Sequence, residues 1–296
     1  MKVLLALVMS AALAPAAYAH PARDLTEAGI RGAVVLSHRG VDAAGDVTAL
    51  TRFRVGSITK TFVATVTLQL VAEGRLSLDE PVPEAGGAPL RTLLNHTSGI
   101  YNHSDDPRVF EHGLLTRWKP EQLIAISREH PPYFPPGAGF HYSNTNYMIV
   151  GQVIQRVTGR PLPDEIERRI LRPLKLRDTA YEEGPRVRGL APSPKQNTSW
   201  AGASGAMVST ARDLARFYRS VPAVLKTGGD PYGFGLFKVQ ASCGVTAWGH
   251  NGAVPGFLAH AYVSGRRTAV VLIDDEPATK RQEIAVNRVI DAALCS

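Results

Sequence analysis

Ser57 and Lys60 are the first residues along the chain whose types and spacing suit nucleophilic catalysis. Residues three apart on a helix share a face, so the serine hydroxyl and the lysine amine can meet. Residues 58–73 are apolar nearly all round and stop at Gly74, which predicts a buried helix. Burial favours a lysine without its proton, and a neutral amine beside a serine activates that serine. A Ser-x-x-Lys pair also arises by chance about once in a chain of this size, so the pair alone decides nothing.

Tyr142 and Asn144 form a second candidate pair. They follow the proline- and glycine-rich segment 133–139 and precede residues 146–157, which are apolar at helical spacing. A tyrosine hydroxyl that faces a lysine amine can carry a proton to a leaving group, and an asparagine amide can hold a substrate amide. The alternative is structural, because residues of this type commonly cap a helix and a tyrosine commonly packs in a core.

The third candidate is the segment 248–253, in which glycines flank His250 and Asn251. Glycines beside a polar pair on an edge strand suggest that a ligand approaches the backbone closely. A free backbone N–H on such a strand can complete an oxyanion hole with the N–H of Ser57. The alternative is a β-bulge that carries an exposed histidine.

The secondary-structure elements that must position these groups are strands near both ends of the chain and helices in its middle. Strand patterns occur at 31–37, 46–50, 257–263 and 268–273, and the last two read as a hairpin. Helical patterns fill the middle of the chain and also its end at 280–294. We therefore predict an α/β fold built from both termini with an inserted helical region. The predicted units are a signal peptide (1–19), an α/β domain (20–58 and 201–296) and a helical domain (59–200).

The first residues read as a signal peptide. Lys2 precedes an apolar run from Val3 to Leu13, and Ala17-Tyr18-Ala19 fits a small-x-small cleavage site. The run is too short to span a bilayer. We expect cleavage after Ala19 and an exported protein without a stable membrane anchor.

Charge and cysteine content narrow the possible partners. The chain has 33 Lys and Arg against 26 Asp and Glu, but the basic residues are scattered, which argues against nucleic-acid binding. The nine histidines are dispersed and no Cys/His cluster has ligand spacing, so we expect neither a metal nor a cofactor. The chain has two cysteines, Cys243 and Cys295, and an even number of cysteines in an exported protein suggests one disulfide. The alternative is two free buried thiols.

Taken in order, Ser-x-x-Lys, Tyr-x-Asn and His-x-Gly form the pattern of penicillin-recognising serine hydrolases. The chain resembles the soluble exported D-alanyl-D-alanine carboxypeptidases, which share their fold with class C β-lactamases and certain esterases. The resemblance implies an antiparallel sheet flanked by helices with an inserted all-helical region. It covers nearly all of the mature chain and is carried by four segments: 53–60, 93–99, 142–147 and 249–252.

The resemblance implies roles for individual residues. Ser57 would attack a carbonyl and form an acyl-enzyme, while Lys60 and Tyr142 would share the proton transfers, with the identity of the base left open. Cys243 and Cys295 fall where those carboxypeptidases have a disulfide. His96 matches a family signature, and we assign it a structural role as the cap of its short helix. The implied substrate-binding residues are Asn144, Trp200, His250, Asn251, Gly252 and Ala253.

Three departures from the family pattern bear on specificity. Asn251 stands where the family usually has threonine, Ala253 where a hydroxyl residue is frequent, and Phe237 where the closest carboxypeptidases have arginine. Those groups bind the terminal carboxylate of a peptide, and each charge-assisted bond is worth about 1.5–3 kcal/mol. Lys238 does not replace the arginine, because on a strand it points to the opposite face.

Our first hypothesis is a D-Ala-D-Ala carboxypeptidase-like serine hydrolase that acts through a Ser57 acyl-enzyme on peptide or β-lactam carbonyls. The alternatives are an esterase or β-lactamase on the same scaffold and a non-catalytic protein that binds the cell wall. The expected partners are a peptidoglycan-type peptide, an ester or a β-lactam, and we expect a monomer.

Overall fold

The computed structural model describes residues 20–192, 194–275 and 279–296, and the predicted signal peptide therefore lies outside the described residues. Six strands form an antiparallel sheet in the order β2-β1-β9-β8-β7-β6, and a small second sheet has the order β3-β5-β4. The strands are β1 (Gly32–Ser37), β2 (Gly40–Gly45), β3 (Phe53–Arg54), β4 (Ala180–Tyr181), β5 (Met207–Ser209), β6 (Phe237–Gln240), β7 (Thr246–Val254), β8 (Phe257–Ser264) and β9 (Arg267–Ile273). The large sheet draws its strands from both ends of the chain, as predicted.

Helices surround the sheet and fill the middle of the chain. They are α1 (Pro21–Glu27), α2 (Thr59–Ala72), α3 (Leu90–Leu94), α4 (Arg108–Glu111), α5 (Pro120–Arg128), α6 (Asn144–Thr158), α7 (Leu162–Ile166), α8 (Arg172–Leu174), α9 (Ala211–Ser220) and α10 (Lys280–Cys295). In the described part of the chain, each of these helices is too short or too polar to cross a membrane.

The central strands are apolar on both faces because both faces are covered. Side chains alternate along a strand, so Val271 and Ile273 of β9 pack with α1 and α10, whereas Val270 and Leu272 join the larger core on the other side. That larger core contains residues of α9 and of the buried helix α2. The sheet thus supports strand β7 and the turn Gly56–Ile58 that follows β3.

Three predicted elements differ from the structure. The strand expected at 46–50 is wrong, since β2 ends at Gly45. The two-residue turn after β1 pairs Ser37 directly with Gly40, and β2 is rich in Gly, Ala and Asp, residues with low strand propensity. In the predicted helix 162–170, the α-helical part α7 ends at Ile166 and a π-helical turn follows from Glu167 to Leu171. Pro173, just beyond this turn, lacks the N–H that a continuing α-helix would need at its position. β4 also lies inside the region predicted to be entirely helical.

The predicted disulfide is confirmed. Cys243, in the turn between β6 and β7, is bonded to Cys295, the last residue of α10, with an S–S length of 2.06 Å. Asp291 of α10 accepts a hydrogen bond of 2.7 Å from the backbone N–H of Ser242. Together these bonds hold the C-terminal helix to the sheet.

Candidate active site

Two glycines allow the backbone before α2 to lie directly against strand β7. Ser57 is the middle residue of a 3-10 turn, Gly56–Ile58, that leads into α2. A Cβ added to Gly252 would lie 2.0 Å from the Val55 carbonyl oxygen and 2.6 Å from the Ser57 backbone nitrogen. A Cβ on Gly56, whose φ is +49°, would lie 2.8 Å from the Ala253 nitrogen. The backbone around Ser57 and the backbone of Gly252 and Ala253 are therefore in direct contact.

Lys60 contacts three oxygen atoms, none of which belongs to a carboxylate. Its Nζ lies 3.0 Å from Ser57 Oγ, 2.7 Å from Asn144 Oδ1 and 2.9 Å from the carbonyl oxygen of Ser204. The side chain is buried, and burial holds the pKa of the Lys60 amine well below its ordinary value. A neutral amine has two N–H donors, which the amide and carbonyl oxygens accept. Its lone pair then remains for the hydroxyl of Ser57.

Tyr142 contacts the same serine as this lysine. Burial raises the pKa of the Tyr142 phenol well above its ordinary value, although its hydrogen bond with Ser57 acts in the opposite direction. Lys60 Nζ lies 4.8 Å from the centroid of the Tyr142 ring. The structure thus gathers Ser57, Lys60 and Tyr142 in one place, and burial favours the uncharged forms of both the amine and the phenol.

Asn144 is the first residue of α6, two positions earlier than predicted for the start of this helix, and both polar atoms of its amide have protein partners. Its Oδ1 accepts from Lys60, its Nδ2 donates to Ser104 Oγ at 2.9 Å, and its backbone N–H donates to Asn102 Oδ1 at 2.9 Å. Asn102, Ser104 and Ser204 were missed by the sequence reasoning. They lie in short polar turns without a motif, and only the tertiary fold brings them to Lys60 and Asn144.

His250 is buried, and both of its ring nitrogens face the protein. Nε2 lies 2.9 Å from Tyr232 Oη, and Nδ1 contacts the carbonyl oxygen of Asn251. Burial, reinforced by Lys60, lowers the pKa of His250 to about 3, so the ring is neutral at pH 7. His250 is therefore in the site but does not supply a cation to it.

Phe237 completes an aromatic wall beside Tyr142. Its ring centroid lies 4.5 Å from that of Tyr232, 5.0 Å from that of His250 and 6.3 Å, in stacked orientation, from that of Tyr142. Lys238 pairs instead with Asp230 at 2.6 Å and is partly exposed. We call Tyr142, Tyr232, Phe237 and His250 the aromatic wall.

Of the remaining predicted residues, Asn251 and Ala253 flank the glycine that contacts the backbone around Ser57, whereas Trp200 is near the site in the chain but its substrate-binding role stays a prediction. Pairing of β7 with β6 ends at Gly249, and the half-buried Asn251 and Ala253 follow on the segment that packs against Ser57. Trp200 is buried, its ring meets Phe110 edge-on at 4.9 Å, and within the described ranges its indole nitrogen has no hydrogen-bond partner. Trp200 precedes the turn Gly202–Ser204, whose last carbonyl holds Lys60.

The described ranges contain no group of three or more His, Cys, Asp or Glu side chains arranged to hold a metal ion. The polar groups around Ser57 are an amine, a phenol, an amide and backbone N–H groups. This set can activate a hydroxyl and stabilise a developing oxyanion, which is the chemistry of acyl transfer.

Comparisons with known proteins identify the family of the chain. The family model described as Beta-lactamase matches residues 21–292. The structure of a D-stereospecific amidohydrolase from Streptomyces sp. is 35% identical, with a TM-score of 0.82 over 93% of this chain and 98% of that chain. A D-amino acid amidase from Ochrobactrum anthropi SV3 is 25% identical, with a TM-score of 0.78 over 92% of this chain and 98% of that chain.

A D-aminopeptidase from Cereibacter sphaeroides is 28% identical over 82% of this chain but only 54% of its own length. The chain thus spans about half the length of the curated relatives that it matches. The family match covers nearly all of the described residues, and the serine, lysine and tyrosine of the family pattern come together at Ser57. The chain belongs to the beta-lactamase family and is a serine hydrolase of that superfamily.

Proposed function

We propose that the protein cleaves amide bonds of D-amino acid derivatives through an acyl-enzyme on Ser57. The observation that carries the proposal is the 3.0 Å contact between Ser57 Oγ and a buried Lys60 amine whose other two partners are neutral acceptors. That arrangement leaves a lone pair directed at the serine hydroxyl.

In the proposed acylation, the lone pair of Lys60 takes the proton of Ser57 while Oγ attacks the substrate carbonyl. The oxyanion binds the backbone N–H groups of Ser57 and Ala253. The C–N bond then breaks as Tyr142 gives its proton to the leaving nitrogen. The lowered pKa of Lys60 favours the amine without its proton and the raised pKa of Tyr142 favours the protonated phenol, which are the starting states that these steps require.

Acylation leaves an ammonium on Lys60 and a phenolate on Tyr142. A proton passes back from Lys60 to Tyr142, because a buried pair of neutral groups costs less than a buried pair of charges. Water then attacks the ester carbonyl while Lys60 takes one of its protons, and Lys60 passes that proton to Ser57 Oγ as the C–Oγ bond breaks. The products are an amine and a carboxylic acid, and the enzyme returns to its starting state.

The substrate class follows from the aromatic wall and from the relatives. A carboxypeptidase must hold the free carboxylate of a leaving amino acid, whereas this wall presents Phe237 and a neutral His250. A neutral leaving group, such as ammonia from a primary amide or the amide-linked remainder of a longer peptide, needs no cation. The similar proteins are named a D-stereospecific amidohydrolase, a D-amino acid amidase and a D-aminopeptidase, which supports the D configuration.

The D-Ala-D-Ala carboxypeptidase activity implied by the resemblance stays a prediction. An esterase or β-lactamase is the second candidate, because Phe237, Asn251 and Ala253 replace the carboxylate-binding groups of carboxypeptidases while the acylating groups are kept. Both candidates use the same Ser57 chemistry and differ in the substrate that fits the wall.

A substrate panel tests the proposal. The panel contains D- and L-phenylalanine amide, D-Ala-D-Ala with a free carboxylate, the same dipeptide with a C-terminal amide, a cephalosporin and a short acyl ester. We expect turnover of the D-amide and of the amidated dipeptide, and none of either by Ser57→Ala. Preference for the free carboxylate, or equal turnover by wild type and Ser57→Ala, would contradict the proposal.

We also propose that the enzyme works outside the cytosol after removal of residues 1–19. The Cys243–Cys295 disulfide supports this compartment, since such bonds form and persist in oxidising environments. Sequencing of the mature N-terminus is expected to begin at His20, and an intact Met1 on protein recovered from its native host would contradict the prediction.

A further inference from the structure

His96 lies between α3 and the loop that carries Tyr142. It is one of two non-glycine residues with positive φ in the described part of the chain, at +61°. Asn95 is the Ccap residue of α3, and His96 follows it in the left-handed conformation that lets the backbone N–H of Thr97 bond to the carbonyl oxygen of Thr92 at 2.9 Å. His96 therefore contributes to the end of α3, as expected, and its ring also contacts Asn146 of α6.

His96 accepts hydrogen bonds from the residues on both sides of Tyr142. The carbonyl oxygen of His96 accepts from the backbone N–H of His141 at 3.0 Å, and its ring Nδ1 accepts from the backbone N–H of Ser143 at 3.1 Å. The residues immediately before and after Tyr142 are therefore both held by this one histidine.

The ring of His96 also packs against the ring of Tyr142. Their centroids lie 4.1 Å apart at an angle of 31°, and the rings of Tyr232 and Tyr147 enclose the histidine at 4.8 Å and 5.4 Å. The histidine is fully buried, so motion of the Tyr142 ring toward this side would require displacement of a closely packed neighbour.

The tautomer of His96 follows from its partners. Nδ1 faces the N–H of Ser143 and, at 3.3 Å, the side-chain amide nitrogen of Asn146, so it serves as an acceptor. The proton then sits on Nε2, which is buried and has no hydrogen-bond partner in the described ranges. Burial and the nearby Lys60 hold the pKa of His96 well below its ordinary value, which keeps Nδ1 an acceptor at neutral pH.

The neighbouring residues extend the same attachment. Thr97 and Gly99 accept backbone hydrogen bonds of 2.8 Å from Gly137 and Tyr133. A Cβ on Gly99 would lie 1.9 Å from the carbonyl oxygen of Phe134, so the two segments run in direct contact. These backbone hydrogen bonds hold the loop at residues 133–137, whereas the His96 ring contacts the residues next to Tyr142.

We propose that His96 is a positioning residue that fixes the Tyr142 hydroxyl against Ser57 for proton transfer to the leaving group. The proposal rests on the proposed function, in which Tyr142 is the acid. It explains why a histidine occupies a left-handed position that glycine or asparagine would adopt more readily.

A double-mutant cycle with Tyr142 tests this role. His96→Gly accepts the backbone conformation but removes the acceptor and the ring, and Lys175→Gly, at the other positive-φ site, is the matched control. The readout is the rate at which a fluorophosphonate probe modifies Ser57, measured by intact mass, together with kcat and KM for D-phenylalanine amide. A misplaced catalytic group costs about 10²-fold, so we expect His96→Gly to lower kcat about 10- to 100-fold with little change in KM.

The same substitution in a Tyr142→Phe background should lower the remaining kcat for D-phenylalanine amide less than about threefold, since the group that His96 positions is already gone. Lys175→Gly should label as fast as wild type. Partial rescue of kcat is expected for His96→Asn, whose side-chain oxygen can accept from Ser143. His96→Ala serves for the cycle if the glycine variant does not fold.

The outcomes separate the two proposals. Equal loss in the wild-type and Tyr142→Phe backgrounds, or full activity of His96→Gly, would overturn the positioning role and leave the serine hydrolase intact. A wild-type protein that the probe does not label at Ser57 would overturn the proposed function itself.

Discussion

The two sides of Ser57 are built from different kinds of groups. On one side, Lys60, Asn144, Ser104 and Ser204 form a closed polar network in which each donor meets an acceptor. On the other side, the aromatic wall presents rings and a neutral imidazole. The polar side suits the activation of a serine against any acyl substrate. We propose that the wall determines which leaving group can be held, so that reaction type and specificity depend on separate parts of the site.

The largest effect is expected when the polar side loses its base. Lys60→Met keeps a buried unbranched side chain and removes the amine, so kcat should fall about 10²- to 10⁴-fold. The melting temperature should fall, because removal of the amine leaves the buried acceptors Asn144 Oδ1 and the Ser204 carbonyl without their donor. Kinetics and thermal melts measure the two effects. Activity within tenfold of wild type would show that Lys60 is not the base.

A subtler change tests the protonation state of Lys60. Asn144→Asp places a carboxylate where an amide oxygen now lies 2.7 Å from Nζ, and this charge raises the pKa of Lys60. We expect a loss of about 10²-fold at pH 7 that is recovered as the pH rises, because the amine must lose its proton before it can act. Ser104→Ala, which removes only the second partner of the amide, is the control. A pH profile that does not move would contradict a neutral Lys60.

On the aromatic wall, Phe237→Arg should change specificity rather than acylation. A cation at this position can bind a terminal carboxylate, and one charge-assisted bond corresponds to about a 10- to 100-fold gain for D-Ala-D-Ala over its C-terminal amide. Phe237→Leu removes the ring without adding charge and should leave the preference unchanged. The ratio of kcat/KM for the two dipeptides is the measurement. An unchanged ratio in the arginine variant would place the leaving group away from this wall.

The last expected effect is on stability in acid rather than on activity. Burial lowers the pKa of His250 to about 3 and that of His103 and His260 to about 4. Their unfolded values lie near 6.5, so between about pH 6.5 and pH 4 the unfolded state binds protons that the folded state excludes. The free energy of unfolding should therefore decrease as the pH is lowered across this window, by roughly 1.4 kcal/mol per pH unit for each histidine. Denaturant melts of His250→Gln should show a shallower fall, and an identical slope would mean that His250 is not buried as a neutral ring.

Sequence reasoning reached the parts of the site that are local or that match a family pattern. The Ser57–Lys60 contact followed from helical spacing, and the family pattern supplied Tyr142 and Asn144 from distant positions. Ser104, Ser204 and Tyr232 could not be predicted, because they contribute through contacts that only the tertiary fold creates. The position of the His250 ring was likewise out of reach, since strand alternation does not say which partners a buried ring will meet.

For the fold, as for the site, the sequence predicted some elements and not others. Long periodic segments such as α2 and the β8–β9 hairpin were found, whereas β2 was missed because its Gly-Val-Asp-Ala-Ala-Gly sequence has little strand character and forms only by pairing with β1. Local propensity is a weak signal wherever a neighbouring strand supplies most of the stabilisation.

The central claim is that a neutral Lys60 makes Ser57 the acylated residue. Peptide mapping after reaction with a fluorophosphonate probe tests it most directly. The account predicts a single stoichiometric adduct on the peptide that contains Ser57 and no adduct in Ser57→Ala under the same conditions. An unmodified wild-type protein, or an adduct that persists in Ser57→Ala, would contradict it.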